Sequence, residues 1–498
     1  MPGSTSPVTE DRGSGFGLLF GLYRGFKSRR YLVNTVIYLA GNVVGQALAF
    51  FVLPVFTRYL SPDDYGILSY TSSIVSILYI IALLSIHSFV MRHYFELEAE
   101  ADRRELFGTI FIFLLSLNLV LLLLEFLLVP YGFSWGGVKV PFHPYMTVAL
   151  LDNFLEVMAV LPLTFYRVTA NAWGYFWLIS LKSLLSITFG LILVIEFHLG
   201  VMGRYYGSLA TNVIFLFIYL TIMFRISSFH FKVEIIRKGL RFSLPLVLPA
   251  LAGVAFISLD RIVLERYASL SEMGIYSVAM VLGTALGIGI RSFYLAIEPE
   301  MYAMFSQEGY EEKVVRLKNR FQFVLLGLGC MIIVFSKEIT MVAASPRFFD
   351  SHRLIPFFVV GMMFKGGENI AGISLFALNQ TRVQLVIYGV SLGVLVAGLF
   401  LLTPRFGAAG AAVALTCSYA AAFLASVGFV RRYSRICWKA RSDVALILAA
   451  AAVSYGLMHL EAGGIWASFL VRALIVAVAG AMLVGRFWRA AKEAILPA

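Results

Sequence analysis

The sequence contains fourteen apolar runs that are each long enough to cross a lipid bilayer as a helix. A helix needs about 20 apolar residues to span the hydrocarbon core. The chain is 60% apolar and 14% charged, whereas soluble domains are about 45–50% apolar and about 25% charged. We therefore predict an all-α integral membrane protein with about 14 transmembrane helices. The predicted spans are 33–57, 65–89, 106–129, 145–166, 173–197, 205–225, 243–265, 273–296, 321–343, 354–378, 383–403, 408–430, 443–460 and 466–486.

The distribution of Lys and Arg predicts the orientation of these spans, because cytoplasmic loops are enriched in both residues. With the N-terminus in the cytoplasm, 27 of the 40 Lys and Arg fall in tails and cytoplasmic loops, and eight, including Arg204, fall on the outer side. We therefore place both termini in the cytoplasm and attribute the net charge of +12 to the membrane rather than to nucleic-acid binding. The cations predicted to lie inside the membrane are Lys182, Arg261, Arg291, Lys337 and Lys365.

Two stretches of the sequence are nearly the same. RYLSPDDYGILSY at 58–70 and RYASLSEMGIYSV at 266–278 share six residues at an offset of 208. A second pair, GVMGRYYGSLAT at 200–211 and GAAGAAVALTCS at 407–418, shares two glycines at an offset of 207. A nearly constant offset indicates an internal duplication of six helices. Because six is even, both units enter the membrane from the same side, so we predict parallel repeats related by an axis along the membrane normal.

The duplication divides the chain into four predicted parts. Residues 1–32 form a cytoplasmic tail, and 437–498 form an additional two-helix segment with a second tail. The two six-helix units lie between them, and we call residues 33–230 the N-lobe and residues 231–436 the C-lobe.

Several long stretches resemble one known family. NVVGQALAFFVLPVFTRYLSPDDYGILSY, LRFSLPLVLPALAGVAFISLDRIVLERYASLSEMGIYSVA and PRFGAAGAAVAL are similar to the polysaccharide transporters of the O-antigen flippase type. That family belongs to the multidrug/oligosaccharidyl-lipid/polysaccharide exporter superfamily. The resemblance implies two six-helix lobes around a central cavity lined chiefly by the first, second, seventh and eighth helices. It also implies a location in the bacterial cytoplasmic membrane and movement of a lipid-linked sugar from the inner to the outer leaflet.

Four of the intramembrane cations and two polar residues of the first helix are the candidate substrate-binding residues, whereas Lys337, near the outer end of its helix, is expected to extend to the membrane surface. A charge near the bilayer centre costs at least about 2.5–3.5 kcal/mol, so such groups usually face a cavity or a partner. Arginine and lysine in a wet cavity would compensate the charge of a polyprenyl pyrophosphate, and polar residues of the first helix could meet sugar hydroxyls or a neighbouring helix. Purely structural pairing remains an alternative for each cation. The candidates are Arg261, Arg291, Lys182, Lys365, Asn42 and Gln46.

Carboxylates inside the spans are candidates for coupling transport to H⁺ or Na⁺. Asp152 and Glu156 lie four apart on one face of the fourth helix, where two negative charges repel each other. The alternative is that each carboxylate is paired with a cation. Glu156 could pair with Lys182 at the same depth, Glu368 with Lys365 at i, i+3, and Asp260 with Arg261 beside it, whose guanidinium it could orient. The ion-coupling candidates are Asp152, Glu156, Asp260, Glu368 and Glu125.

Three classes of function fit these features. The first is a flippase that moves a polyprenyl-pyrophosphate-linked oligosaccharide by alternating access for surface polysaccharide biosynthesis, with a polysaccharide polymerase and chain-length machinery as possible partners. The second is a cation-coupled multidrug exporter of the same superfamily. The third is a membrane-embedded glycan polymerase or ligase, which would be expected to carry a larger outer domain. We find no P-loop, no paired cysteines and no metal-ligand spacing, so we expect no cofactor and no enzymatic activity.

Overall fold

The computed structural model describes residues 50–460 except residue 306, residues 467–476, and separate positions between 33 and 48. Within these residues the chain is helical and contains no β-strand. A helix satisfies its own backbone hydrogen bonds, which a chain surrounded by lipid requires. The α-helices are α1 Phe50–Tyr59, α2 Pro62–Leu83, α3 Ile86–His93, α4 Glu100–Gly136, α5 Thr147–Val157, α6 Val160–Val168, α7 Ala172–Ile195, α8 Gly200–Ile226, α9 Val233–Tyr267, α10 Leu270–Thr284, α11 Leu286–Phe305, α12 Tyr310–Val334, α13 Ser336–Ala343, α14 Ile355–Ala377, α15 Val383–Tyr433, α16 Ala440–Met458 and α17 Ala467–Val476.

Ten segments in the described part of the chain are long and apolar enough to cross a membrane. This confirms the predicted all-helical membrane class. Helix α14, which corresponds to the tenth predicted span, is not one of the ten, and it carries Lys365 and Glu368. The first and fourteenth predicted spans are described only in part, through α1 and α17.

Four of the predicted spans are interrupted. The second is divided into α2 and α3 at Leu84 and Ser85, which have left-handed φ values of 46° and 53°. The fourth is divided between α5 and α6, and the eighth is divided at Ala285 between α10 and α11. The ninth is divided at Phe335 between α12 and α13. Hydropathy does not report such breaks, because the residues on both sides of each break remain apolar.

The eleventh and twelfth predicted spans are joined in α15, and the chain turns between them at Gly407. This residue has φ 53° and ψ −131°, a conformation that glycine adopts far more readily than other residues. The carboxylate of Glu272 lies where a Cβ at position 407 would be, and it accepts a hydrogen bond from the backbone N–H of Ala408 at 2.7 Å. Glu272 therefore ties α10 to this turn.

The duplicated stretches lie at one end of the bundle, which we call the turn end. Serine begins the second helix of each lobe. Ser61 and Asp64 form a reciprocal capping box at the start of α2, and the hydroxyl of Ser269 accepts a hydrogen bond from the backbone N–H of Glu272 at the start of α10. These caps satisfy backbone donors that have no partner inside the helix.

Helices α2 and α10 pack against each other through equivalent residues. Gly66 lies against the backbone carbonyl of Leu270, and Gly274 lies against the backbone carbonyl of Pro62. A Cβ at either glycine would overlap the opposing carbonyl oxygen. The two glycines are 208 positions apart in the sequence, and so are the two residues that supply the carbonyl groups. Reciprocal contacts between equivalent residues are typical of a two-fold axis, here between the two lobes.

The apolar core is formed by two large clusters of buried residues. One runs through the C-lobe and crosses the turn end into the N-lobe, where it includes Leu53, Ile67 and Tyr70. The other fills the N-lobe at the opposite end, where Ile235 and Leu240 from the start of α9 pack against it. The lobes are therefore held together at both ends, and the space between the clusters is left for cavities.

The last two helices are attached to the C-lobe through two buried ion pairs. Lys318 of α12 donates to both carboxylate oxygens of Asp443 of α16 at 2.7 Å. Arg472 of α17 donates to Glu338 of α13 at 2.6 Å and is 3% exposed. Buried charges of this kind are almost always paired.

Candidate functional site

The turn end is closed by polar contacts between the lobes. Ser277 Oγ donates to Ser69 Oγ at 2.6 Å, and these residues are again 208 positions apart. The backbone N–H of Ser345 donates to Thr57 Oγ1 at 3.1 Å. Both contacts join an N-lobe helix to a C-lobe element, so they must break if the lobes separate at this end.

A cavity of about 410 Å³ lies between the lobes beneath this closure. We call it the inter-lobe cavity. Its lining is mostly apolar and comes from α1, α2, α7 and α8 of the N-lobe and from α10 and α11 of the C-lobe. The lining residues are Phe50, Leu53, Phe56, Leu60, Tyr65, Leu68, Ile187, Arg204, Val281, Thr284, Ala285 and Ile288.

Arg204 is the charged residue of this lining, and it lies inside a helix. The sixth predicted span begins at residue 205, whereas α8 begins at Gly200 and includes Arg204. Its guanidinium lies 5.5 Å from the centroid of the Phe56 ring and donates weakly to Ser186 Oγ at 3.4 Å. Among the described residues no carboxylate lies within 4.0 Å of it. Arg204 therefore brings to the inter-lobe cavity a positive charge that has no ion-pair partner among the described residues.

A second cavity, of about 420 Å³, lies inside the C-lobe. We call it the C-lobe cavity. It is lined by α11, α14 and the first half of α15, and it is much more polar than the inter-lobe cavity. The lining residues are Gly287, Ile290, Arg291, Tyr294, Met362, Lys365, Glu368, Asn369, Gly372, Phe376, Gln384 and Tyr388.

Three of the sequence-predicted residues meet in this cavity. Lys365 donates to Glu368 at 2.5 Å, so this cation and this carboxylate neutralise each other. Lys365 Nζ also lies 5.6 Å from the centroid of the Tyr388 ring. Arg291 is exposed and has no ion-pair partner among the described residues. The C-lobe cavity consequently carries one excess positive charge, which belongs to Arg291.

Gln384 adds a polar group that the sequence interpretation missed. It is 8% exposed, yet its Oε1 atom has no hydrogen-bond partner within the described structure. A buried acceptor without a donor is costly, and such groups usually have a partner. Because Gln384 lines the C-lobe cavity, a bound molecule with a hydroxyl or amide group could supply that donor. A glutamine in an otherwise apolar span was the available sequence signal.

Arg261 of α9 is not among the residues that line the two cavities. Its guanidinium donates to the backbone carbonyl of Ile257 at 3.1 Å and contacts the sulfur of Met280 at 2.7 Å. Asp260 does not orient the guanidinium, contrary to the expectation. Its carboxylate accepts hydrogen bonds from the backbone N–H of Arg261 at 2.9 Å and from the Tyr276 hydroxyl at 2.5 Å, because α10 packs along this face of α9.

The N-lobe carboxylates have different environments. Glu156 of α5 forms an ion pair with Lys182 of α7. This structural pairing is the alternative to ion coupling for Glu156 and to substrate binding for Lys182. Glu125 of α4 is partly buried, and no ion pair joins it to another described residue. Asn42 and Gln46 of the first span lie outside the described residues.

Asp152, one turn before Glu156 on α5, is held by neutral groups instead of a cation. Ser208 Oγ donates to Asp152 Oδ2 at 2.8 Å, and Asn212 Nδ2 donates to Asp152 Oδ1 at 2.7 Å. Both donors come from one face of α8 at i, i+4 spacing. Among the described residues no Lys or Arg nitrogen lies within 4.0 Å of this carboxylate.

Residues 31–304 match the family described as polysaccharide biosynthesis protein. The match covers more than half of the chain. The chain belongs to this family. The resemblance inferred from the sequence is thereby confirmed. The Lsg locus protein 1 of Haemophilus influenzae is a relative with 22% identity over 307 residues. These residues are 60% of this chain and 73% of that protein.

Solved transporter structures share the fold of this family member. The lipid II flippase MurJ in an inward closed conformation matches with a TM-score of 0.70 and 13% identity, covering 92% of this chain and 99% of that one. An inward-facing multidrug resistance MATE transporter of the MOP superfamily matches with a TM-score of 0.62 and 13% identity, covering 83% of this chain and 96% of that one. At this identity the likeness shows the fold alone.

The glycine contact between α2 and α10 provides a test of the closure. Gly274→Val should hold the two helices apart, because the added side chain would overlap the Pro62 carbonyl, which as part of the backbone cannot move aside alone. Thr57→Cys, at a position that is 0% exposed, should then react with a water-soluble maleimide in the purified protein. Without Gly274→Val it should stay unreactive.

Gly393→Val is the matched control for this substitution, because no heavy atom lies within 4 Å of a Cβ added at Gly393. The control should leave the Thr57→Cys thiol protected. Equal protection of that thiol in the Gly274→Val and Gly393→Val proteins would mean that the glycine contact does not control the closure.

Proposed function

We propose that this protein is a flippase that moves a polyprenyl-pyrophosphate-linked oligosaccharide across the bacterial cytoplasmic membrane for surface polysaccharide biosynthesis. One observation carries the proposal. The C-lobe cavity lies among the helices of the C-lobe and contains a cation, Arg291, that forms no ion pair with a described carboxylate. Membership of the polysaccharide biosynthesis family supports a glycan as the substrate.

An unneutralised arginine in this position suits the pyrophosphate of the substrate. Placing a charge at membrane depth is unfavourable unless it faces water, a partner or a ligand. A pyrophosphate supplies several anionic oxygens, and a guanidinium binds two of them at once through its planar fork. The paired Lys365 and Glu368 beside Arg291 could also rearrange, so that Lys365 contacts phosphate when the substrate is bound.

The remaining polar groups of the C-lobe cavity suit the sugar. Tyr294 and Tyr388 offer aromatic faces and hydroxyls, Asn369 offers an amide, and Gln384 offers an unpartnered acceptor. Sugars present many hydroxyls in a small volume, and several convergent side chains are needed to bind them in place of water. A mixed cationic and hydroxyl-binding lining is less suited to cationic drugs, so we rank the multidrug exporter below the flippase.

The closed turn end and the inter-lobe cavity support alternating access. We propose that the turn end faces the outside and that the structure corresponds to the state closed on that side. The substrate head group would then pass from the C-lobe cavity to the inter-lobe cavity, where Arg204 provides the next positive charge. Separation of α2 from α10 would release it to the outer leaflet. The polyprenyl chain would remain in lipid throughout.

A charge series at Arg291 tests the proposed function. Arg291→Lys should retain part of the export, because the charge remains while the bidentate geometry is lost. Arg291→Ala should reduce export about tenfold or more, as expected for loss of hydrogen bonds to a charged group. Arg291→Glu should abolish export by repelling the anion. The measurement is surface glycan in a strain that lacks its own flippase, normalised to the membrane level of each variant.

Arg353→Ala is the matched control for this series. Arg353 is an exposed arginine whose partner, Asp350, is also exposed, so its loss should leave export unchanged. Full export by a well-expressed Arg291→Ala protein would contradict the proposed substrate site.

A further inference from the structure

The N-lobe contains a carboxylate, Asp152, that forms no ion pair with a cation in the described structure. Asp152 accepts one hydrogen bond on each oxygen, from Ser208 at 2.8 Å and from Asn212 at 2.7 Å. Glu156 lies one turn away on the same helix and is already paired with Lys182. The two carboxylates therefore have different roles, although the sequence presents them as an equivalent pair.

A second observation concerns Asn212. This residue is 1% exposed, and its Oδ1 atom is buried without a hydrogen-bond partner among the residues described. The same amide group donates through Nδ2 to Asp152. The amide that contacts the carboxylate therefore has an acceptor without a donor, which is unfavourable in a buried position.

We propose that Asp152, Ser208 and Asn212 form a proton-binding site in the N-lobe. When the carboxylate is charged, Asn212 donates through Nδ2. When Asp152 takes up a proton, its new O–H group can donate to Asn212 Oδ1 after the amide rotates, so one residue serves both states. The proton comes from hydronium, which leaves as water, and the site gains one positive charge. No other reactant is needed.

The existing hydrogen bonds favour a proton over a metal ion. Both carboxylate oxygens already accept donors at short distance. A sodium ion would have to displace these donors and gather several further oxygens, whereas a proton requires only rotation of one amide. Proton binding does not depend on the identity of the transported molecule. Its use to drive transport does rest on the proposed flippase function.

The other titratable groups around the site are accounted for. Lys182 of α7 approaches from one side and is engaged by Glu156. Arg204 of α8 lies one turn before Ser208 and interacts electrostatically with Asp152. Tyr79 of α2 interacts electrostatically with Glu156, and the ring of Tyr145, just before α5, lies tilted against the ring of Tyr205. Helix α4 contributes Glu125, for which no interaction with Asp152 is found. Of the two carboxylates on α5, Asp152 is therefore the one without an ion-pair partner among the described residues.

Infrared difference spectroscopy of the purified protein tests the site without any substrate. In sodium-free buffer, lowering the pH should produce the C=O band of a buried carboxylic acid, which a charged carboxylate lacks. Asp152→Asn should remove this band. Asp350→Asn, which removes an exposed carboxylate of the 3-10 helix Pro346–Arg353, should leave it unchanged.

Ser208→Ala provides a second variant that does not alter the titrating group. It removes one donor to the charged carboxylate, so the band should persist to a pH about one unit higher than in the unaltered protein. A band that is identical in Asp152→Asn or unshifted in Ser208→Ala would overturn the proposal. Loss of the band on adding sodium at constant pH would identify a sodium site instead. Failure of the Arg291 series would leave all of these spectra unaffected, so the two proposals fail independently.

Discussion

The double substitution Ser69→Cys with Ser277→Cys should stop export under oxidising conditions and restore it after reduction. The two hydroxyl oxygens lie 2.6 Å apart across the lobes, and a disulfide requires two sulfurs at about 2.0 Å with nearby Cβ atoms. The bond would fix α2 to α10 and hold the turn end closed. If alternating access operates, a fixed closure removes nearly all export. Cys330, Cys417 and Cys437 are replaced by serine beforehand.

The C-lobe offers a matched control for this disulfide. Ser391 Oγ and Ser418 Oγ lie 3.1 Å apart within α15, so cysteines at these positions should form a disulfide that joins two parts of the same lobe. That bond should leave export intact. Mass spectrometry of peptides measures the extent of each disulfide, and surface glycan measures export. Undiminished export by a protein that is fully cross-linked at 69 and 277 would show that the turn end need not open.

The sequence predicted the elements of the fold well because its strongest signals are local. Apolar runs determine where a helix can span a membrane, and Ser61 and Ser269 cap the next helix whatever the tertiary structure is. The 208-residue offset also carried tertiary information. It identified Ser69 and Ser277 as equivalent residues, and in the structure they meet at the interface between the lobes.

The start of the sixth span is predicted too late by about one turn, because hydropathy and helix formation respond to different properties. The predicted span began where the apolar residues begin, whereas the backbone of α8 is helical from Gly200. One additional turn moves Arg204 from the predicted outer loop into the lining of the inter-lobe cavity. A charged residue within one turn of an apolar run is therefore better treated as part of the span.

The sequence could predict an ion-pair partner only where the positions of the two residues along the chain are informative. They must lie about one turn apart on one helix, or equally far from the turn that joins two helices. Lys365 and Glu368 are close on one helix, and Glu156 and Lys182 are equally far from the turn that joins their helices. Asp152 gave no such signal, because Ser208 is 56 residues away along the chain. That pairing depends on how α5 packs on α8, which the composition of neither helix specifies.

Asp443→Ala should destabilise the protein by about 3–5 kcal/mol, because it leaves Lys318 as a buried charge without a partner. Lys318 and Asp443 are 5% and 7% exposed, and Trp438 Nε1 also donates to this carboxylate at 2.9 Å. Thermal unfolding in detergent measures the loss. Asp350→Ala removes one partner of an exposed pair with Arg353, and as the control it should cost only about 0–1 kcal/mol.

The combination Lys318→Met with Asp443→Leu separates two effects on stability. One is the net contribution of the ion pair, and the other is the destabilisation caused by leaving one buried charge without a partner. Replacing a buried ion pair by apolar residues of similar size is often neutral, so this protein should regain most of the stability lost in Asp443→Ala. A part should remain lost, because Trp438 Nε1 would have no acceptor. Retained export in the double variant would mean that the pair only fastens α16 to α12. A stable variant that fails to export would instead assign the charges a part in transport.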